Sequence, residues 1–74
     1  MSNNVGKKVK TGDKFGIKGW WVNKDLSDPD PIIWIDDIDD EVPSQIKRYH
    51  YFYVGNTEKK PTPDEAKKII EKFD

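Results

Sequence analysis

The sequence predicts an α+β fold that is mostly β: a small twisted antiparallel sheet or barrel of three or four strands, with one C-terminal helix at about residues 63–73. The aliphatic side chains include eight Ile and five Val but one Leu and one Ala, and β-branched residues suit pleated strands better than helices. Three Trp, three Tyr and three Phe supply the large apolar surfaces that a core short of Leu needs. A chain of 74 residues has room for one domain. We place this domain at residues 9–74, after a flexible basic N-terminus at residues 1–8.

The first strand is predicted over residues 14–22, where apolar side chains alternate. Gly16 and Gly19 interrupt this run, and glycines inside a strand commonly mark a bulge or a bend. Trp20 and Trp21 are consecutive, so a strand must place them on opposite faces. We therefore expect one of the two in the core and the other half-buried or at the surface.

Two further strands and a loop are predicted downstream. Residues 32–35 are apolar on both faces, which is typical of a central strand or of a strand that the helix covers. Residues 36–43 are mostly acidic, and their pattern fits either a helical turn or an irregular loop. Residues 48–54 alternate three tyrosines with other large side chains, which is the clearest strand pattern in the chain.

The helix has the best-defined start. Thr62 is the predicted N-cap, Pro63 occupies the first helical position, and Glu65 completes a capping box with Thr62. A short amphipathic helix is marginal alone, so its apolar stripe must pack on the sheet. The stripe consists of Ala66, Ile69, Ile70 and Phe73.

Charge is segregated along the chain. Before residue 25, six lysines accompany a single aspartate. Residues 25–45 hold eight carboxylates and no basic side chain, and the remaining residues hold seven basic and five acidic side chains. The formal net charge of −1 therefore results from the cancellation of opposite regions. Segregated charge indicates where a charged partner would dock.

The acidic run at residues 36–41 is the first candidate site. The spacing of Asp37, Asp39 and Glu41 matches the start of a Ca²⁺ loop, but Val42 stands where that loop requires Gly and Arg48 where it requires Glu. We therefore predict no metal site. Two interpretations stay open: a solvated acidic loop, or a docking site whose carboxylates imitate a nucleic-acid backbone and attract a basic protein. The docking carboxylates would be Asp36, Asp37, Asp39, Asp40 and Glu41.

Tryptophans beside this run are the second candidate. Trp is enriched among the residues that dominate protein–protein interfaces, and Trp34 and Trp20 are the aromatic anchors that we predict. One alternative is an aromatic cage around a methylated Lys. The other is a purely structural role, in which all three Trp fill the small core.

A competing site would bind nucleic acid. Tyr49, Tyr51 and Tyr53 share one face of the strand at 48–54, and aromatic faces flanked by basic residues stack and track single strands. The acidic middle of the chain and a sequence pI near 5.8 argue against this site, so it ranks second. Lys47 and Arg48 flank the tyrosines, and the phosphate contacts would come from the N-terminal lysines Lys7, Lys8, Lys10, Lys14 and Lys18.

Catalysis and cofactor binding are not predicted. The chain has no Cys and a single His, His50, so disulfides and thiolate or multi-His metal sites are excluded. The sequence contains no nucleophile elbow, Gly-rich phosphate loop or His-Asp-Ser set at a credible spacing. No apolar run approaches the roughly 20 residues of a membrane span, and residues 1–5 do not resemble a secretory signal. We therefore expect a cytoplasmic protein.

Two stretches resemble known small β folds. Thr11-Gly12-Asp13-Lys14 followed by Gly19-Trp20-Trp21 resembles the opening of small SH3-like barrels of bacterial and phage proteins. The terminal helix after a β-meander is similar to the layout of chromo domains. These resemblances imply an SH3-like or chromo-like architecture and assign no family.

The predicted function is that of a small non-enzymatic protein-interaction module, an inhibitor or regulator of the type that phages and mobile elements encode. It would dock an acidic, Trp-anchored surface on a basic partner protein, with a nucleic-acid-binding protein as one candidate. The alternative is an SH3-like nucleic-acid-binding domain that uses the Tyr face and the lysines. A third hypothesis is an assembly subunit whose exposed strand edge pairs with a neighbour.

Overall fold

The computed structural model describes residues 4–24, 29–42 and 50–73. Its elements are β1 (Lys8–Lys10), β2 (Gly19–Asn23), β3 (Ile32–Ile35), β4 (His50–Gly55) and α1 (Pro63–Phe73). The four strands form one open antiparallel sheet in the order β1-β4-β2-β3. The predicted fold class is therefore confirmed, with an open sheet in place of a closed barrel, and it is consistent with a small SH3-like fold.

β4 lies inside the sheet and is buried on both faces. Tyr51 and Tyr53 lie on one face, where they pack with Phe15 and Trp21, while Phe52 lies on the other. Three edge-on or tilted ring contacts join the four rings of the first face, with centroid separations of 5.2, 5.6 and 5.2 Å. The predicted alternation along this strand is confirmed from His50 onwards.

Residues 12–16 and 38–42 form a lobe that covers the first face of the sheet. The two segments run antiparallel and are joined by four backbone hydrogen bonds of 2.8 to 3.2 Å. This pairing places Phe15 and Val42 in the core over Trp21. We call this side of the sheet the lobe face.

The strand predicted at residues 14–22 is therefore only partly correct. Its second half is β2, but Lys14 makes just an isolated bridge, to Glu41, and Phe15 belongs to the lobe. Gly16 has a φ of 74°, in the left-handed region that side chains rarely adopt, so the chain turns there instead of continuing as a strand.

The other side of the sheet, the helix face, is covered by α1. The N-cap half of the predicted capping box is present: the Glu65 N–H donates to Thr62 Oγ1 at 3.2 Å, and the Glu65 carboxylate accepts a bond from the Thr62 hydroxyl, also at 3.2 Å. Ala66 and Ile70 are buried at the centre of this face. They form one cluster with Val22, Ile32 and Phe52.

α1 crosses the helix face diagonally. Its first residue, Pro63, lines a cleft together with Ile32 of β3. At its other end Phe73 lies on Gly6, just before β1: a Cβ on Gly6 would come within 2.4 Å of the Phe73 ring. The diagonal leaves the far end of β3, at Trp34, uncovered by the helix, and Trp34 is 39% exposed.

One strand, β1, was not predicted, and another, β3, fits only one of the two settings expected for it. Lys8–Lys10 forms β1, and the backbone of Gly6 and Lys7 already bonds to Tyr53 at 2.8 and 2.9 Å, so the paired part of the chain begins before residue 9. A Lys-Val-Lys segment has no apolar pattern of its own, and its strand state comes from pairing with β4. The strand at 32–35 was predicted as central or helix-covered: it is the edge strand β3 and not a central one, while α1 does cover it at Ile32, which packs with Ala66 and Ile70.

Candidate functional site

Two tryptophans meet on the helix face where α1 does not cover it. Trp20 and Trp34 lie directly opposite each other in β2 and β3. Their rings contact edge to face, with centroids 5.0 Å apart and planes at 68°. Trp34 presents its ring to solvent at 39% exposure, whereas Trp21, on the opposite face, is fully buried. The predicted split of Trp20 and Trp21 is confirmed, and the interpretation in which all three Trp fill the core is wrong for Trp34.

Trp20 fixes the position of Trp34. Trp20 is half-buried, and its Nε1–H donates to the Thr57 carbonyl oxygen at 2.8 Å, so its polar atom is already satisfied within the fold. Trp20 is therefore held within the fold, and Trp34, the more exposed member of the pair, is the ring that a partner can reach. The role of Thr57 could not be found from the sequence, because it depends on how the segment after β4 folds back.

An ion pair lies beside the two rings. The β2–β3 register places Lys18 next to Asp36, and Lys18 Nζ is 3.0 Å from Asp36 Oδ1. Both side chains are largely exposed, so the pair adds at most about 1 kcal/mol to stability. We call Lys18, Trp20, Trp34 and Asp36 the Trp34 corner.

The remaining predicted carboxylates belong to the lobe. Asp37 Oδ1 accepts the Asp39 N–H at 2.9 Å, and the Asp40 N–H donates to the Asp37 carbonyl at 3.0 Å, so residues 37–40 form a tight turn. Of the two conformations predicted for the acidic segment, a helical turn or an irregular loop, the structure therefore has the loop. The turn carries Ile38 at its tip, 51% exposed. All the acidic side chains from Asp36 to Glu41 are exposed.

The structure therefore divides the predicted acidic surface. Asp36 shares the helix face with Trp34, because residues two apart in a strand lie on the same side. Residues 37–41 turn away toward the lobe face, where Glu41 lies directly opposite Lys14 in the isolated bridge. The carboxylates thus surround the end of β3 instead of flanking Trp34 in one plane.

The predicted nucleic-acid face is wrong for Tyr51 and Tyr53. Both rings are 7% exposed and lie under the lobe, so no base can stack on them. Lys14 and Lys18, two of the predicted phosphate contacts, lie beside Glu41 and Asp36. Lys47, Arg48 and Tyr49 lie outside the described residues.

Tyr53 is a titratable residue that lies in the core. Its hydroxyl donates to the Lys18 carbonyl at 3.3 Å, and burial raises the pKa of the phenol above its ordinary value of 10.0. Among the described residues, no group of three or more His, Cys, Asp or Glu side chains could hold a metal ion.

A cleft of about 350 Å³ lies between the segment before β3 and the start of α1. Pro31, Pro61 and Pro63 line it, and an ion pair between Lys60 and Asp30 at 3.7 Å crosses its rim. Ile32 lines this cleft and also belongs to the helix-face core, two residues before Trp34 in β3.

No helix among the described residues is long and apolar enough to cross a membrane. Comparisons with protein-family models, with curated proteins and with solved structures gave no match to the chain.

Proposed function

We propose that this chain is a small non-enzymatic protein-interaction module, an inhibitor or regulator that acts in the cytoplasm by docking on a basic surface of a partner protein. The observation that carries the proposal is the exposed Trp34 ring, held edge-on against Trp20 and adjoining Asp36. Preorganised aromatic anchors of this kind dominate interface energies, because they bury a large area with little loss of conformational entropy.

The carboxylates around the end of β3 add direction to this contact. Five exposed acids follow Trp34 within seven residues, at Asp36, Asp37, Asp39, Asp40 and Glu41. Lys18 and Lys14 offset part of this charge at Asp36 and Glu41, which leaves the turn at residues 37–40 as the most acidic point. Such a field accelerates encounter with a basic surface and selects against acidic partners.

The test separates the anchor from the charge. Wild-type protein, Trp34→Ala and Asp37→Asn/Asp39→Asn/Asp40→Asn are each immobilised and exposed to bacterial lysate, with and without nuclease. Trp34→Ala should retain the fold at a cost of about 1–2 kcal/mol, since it loses an edge-to-face pair and part of a buried ring. The proposal is supported if the wild-type protein captures a partner protein, if neither variant captures it, and if nuclease treatment does not change the amount captured.

A matched control keeps the net charge change but moves it elsewhere. Glu58→Gln/Asp64→Asn/Glu71→Gln neutralises three exposed acids outside the Trp34 corner and the lobe. This control should capture the partner as wild type does. If both triple variants lost the partner equally, only the net charge would matter and not the position of the acids. If the wild-type protein captured nucleic acid, and nuclease abolished that capture, the proposal would be overturned.

A further inference from the structure

The two edges of the sheet differ in chemistry. Among the described residues, β1 and β3 each have a strand neighbour on one side only. The β1 edge carries Lys8 and Lys10, and charged side chains on a short edge strand are a common guard against further pairing. The β3 edge, Ile32–Ile35, has no charged residue. Within the part of the chain that the structure describes, β3 is therefore the edge that can accept another strand.

The hydrogen-bond phase of β3 defines which backbone groups face outward. The Asn23 N–H donates to the Pro31 carbonyl at 2.7 Å, and Val22 lies opposite Ile32. In an antiparallel ladder this makes Val22 and Ile32 a non-hydrogen-bonded pair. Ile33 and Ile35 consequently direct their backbone groups to β2, and the N–H and C=O of Ile32 and Trp34 point away from the sheet.

Acidic side chains stand at both ends of this edge. Ile32 and Trp34 lie on one face of β3, with Asp30 two residues before the strand and Asp36 one residue after it. Both carboxylates pair with lysines of this chain, Asp36 with Lys18 at 3.0 Å and Asp30 with Lys60 at 3.7 Å, but these pairs are exposed and therefore weak enough for a basic side chain of a partner to compete with them. The structure thus offers an apolar centre between two carboxylates, with the exposed Trp34 ring as its largest contact area.

We propose that β3 binds an extended segment of the partner protein as a fifth, antiparallel strand, and that this segment has an apolar centre with a Lys or Arg at each end. The inference rests on the proposed function and specifies its partner. Basic side chains opposite Asp36 and Asp30 would occupy the first and seventh positions of the segment, and the third and fifth positions would bond to the backbone of Trp34 and Ile32. Strand addition supplies affinity through the backbone and specificity through alternate side chains.

A second copy of this chain fits less well. When β3 pairs antiparallel with another β3 so that Ile32 lies opposite Trp34, Asp30 falls opposite Asp36, and like charges in that position are destabilising. The β1 edge of another copy offers only three strand residues, and its Lys8 already lies over the Phe52 ring at 5.4 Å.

The probe is the synthetic peptide Lys-Thr-Val-Thr-Val-Thr-Lys, titrated into isotope-labelled protein and followed by NMR. The expected result is that the amides of Ile32 and Trp34 shift and become protected from exchange, while those of Ile33 and Ile35 are protected with and without peptide. N-methylation at peptide positions 3 and 5 should weaken binding about tenfold or more, because it removes two backbone hydrogen bonds. N-methylation at position 4, whose N–H points outward, should leave it unchanged. Glu in place of both Lys should abolish binding.

Three outcomes would overturn the inference. If methylation at position 4 weakened peptide binding as much as methylation at positions 3 and 5, strand pairing would be excluded. Protection of the Ile32 and Trp34 amides from exchange in the free protein would show that the edge is already covered. A sedimentation coefficient that increases with protein concentration would assign the edge to a second copy. Failure of the peptide with intact, Trp34-dependent capture of a partner rejects only strand addition. If Trp34→Ala and Asp37→Asn/Asp39→Asn/Asp40→Asn both capture the partner as well as wild type does, the proposed function itself is rejected.

Discussion

The close approach of β2 and β4 at Gly19 leads to the sharpest prediction about stability. A Cβ at Gly19 would lie 2.6 Å from the Gly55 carbonyl oxygen and 2.7 Å from the Tyr53 ring, and Gly19 has a φ of 149°. Gly19→Ala therefore combines a strained backbone, at about 1–3 kcal/mol, with an overpacked contact at about 1–3 kcal/mol. The sum of about 2–6 kcal/mol matches the whole stability expected of a domain this small, about 3–5 kcal/mol.

Gly16→Ala is the matched control for this effect. Gly16 also has a positive φ, 74°, but no atom lies within 4 Å of the place where its Cβ would be. This variant should cost only the left-handed conformation, about 1–2 kcal/mol. Urea unfolding followed by Trp fluorescence and circular dichroism should therefore give a folded Gly16→Ala protein and a largely unfolded Gly19→Ala protein. Free energies of unfolding within about 1 kcal/mol of each other would refute the argument from close approach.

Two further predictions concern the core and the cap. Burial raises the pKa of Tyr53 in the folded protein above 10.0, while the phenol of the unfolded chain titrates at about pH 10. The contribution of the neutral phenol to stability is therefore fully present below about pH 10. It is lost as the pH rises through the higher pKa of the folded state. Alkaline unfolding monitored by circular dichroism should be less steep above pH 10 in Tyr53→Phe; an unchanged slope would show that Tyr53 does not cause it. Thr62→Ala should cost about 1 kcal/mol by removing the N-cap, which corresponds to about 4–8 °C in Tm. Thr62→Ser should restore most of that loss, and equal Tm values for the Ala and Ser variants would contradict the capping role.

Local patterns in the sequence were sufficient for some elements. The start of α1 could be predicted because the Thr62–Glu65 capping box is contained within four residues. The split between Trp20 and Trp21 followed from the strand period alone. In each case the information lies in neighbouring residues, so no knowledge of distant contacts was needed.

Other features depend on contacts between distant segments. Alternation showed that Tyr51 and Tyr53 share a face, but it could not show that the lobe buries that face. The apolar side chains of β3 predicted burial on both faces, and they carry no information about whether a neighbouring strand lies at its edge. The ion pair of Lys18 with Asp36 depends on the β2–β3 register, and β1 is a strand only because β4 lies beside it.

The contact between Phe73 and Gly6 has a consequence for the order of folding. β1 pairs with β4, and Gly6, two residues before β1, packs against Phe73, the last residue of α1. During synthesis β1 therefore gains its neighbour in the sheet only after β4, His50–Gly55, has been made. Among the paired strands, β2 and β3 are the closest in sequence, so we expect folding to begin in that hairpin and β1 to join the sheet later.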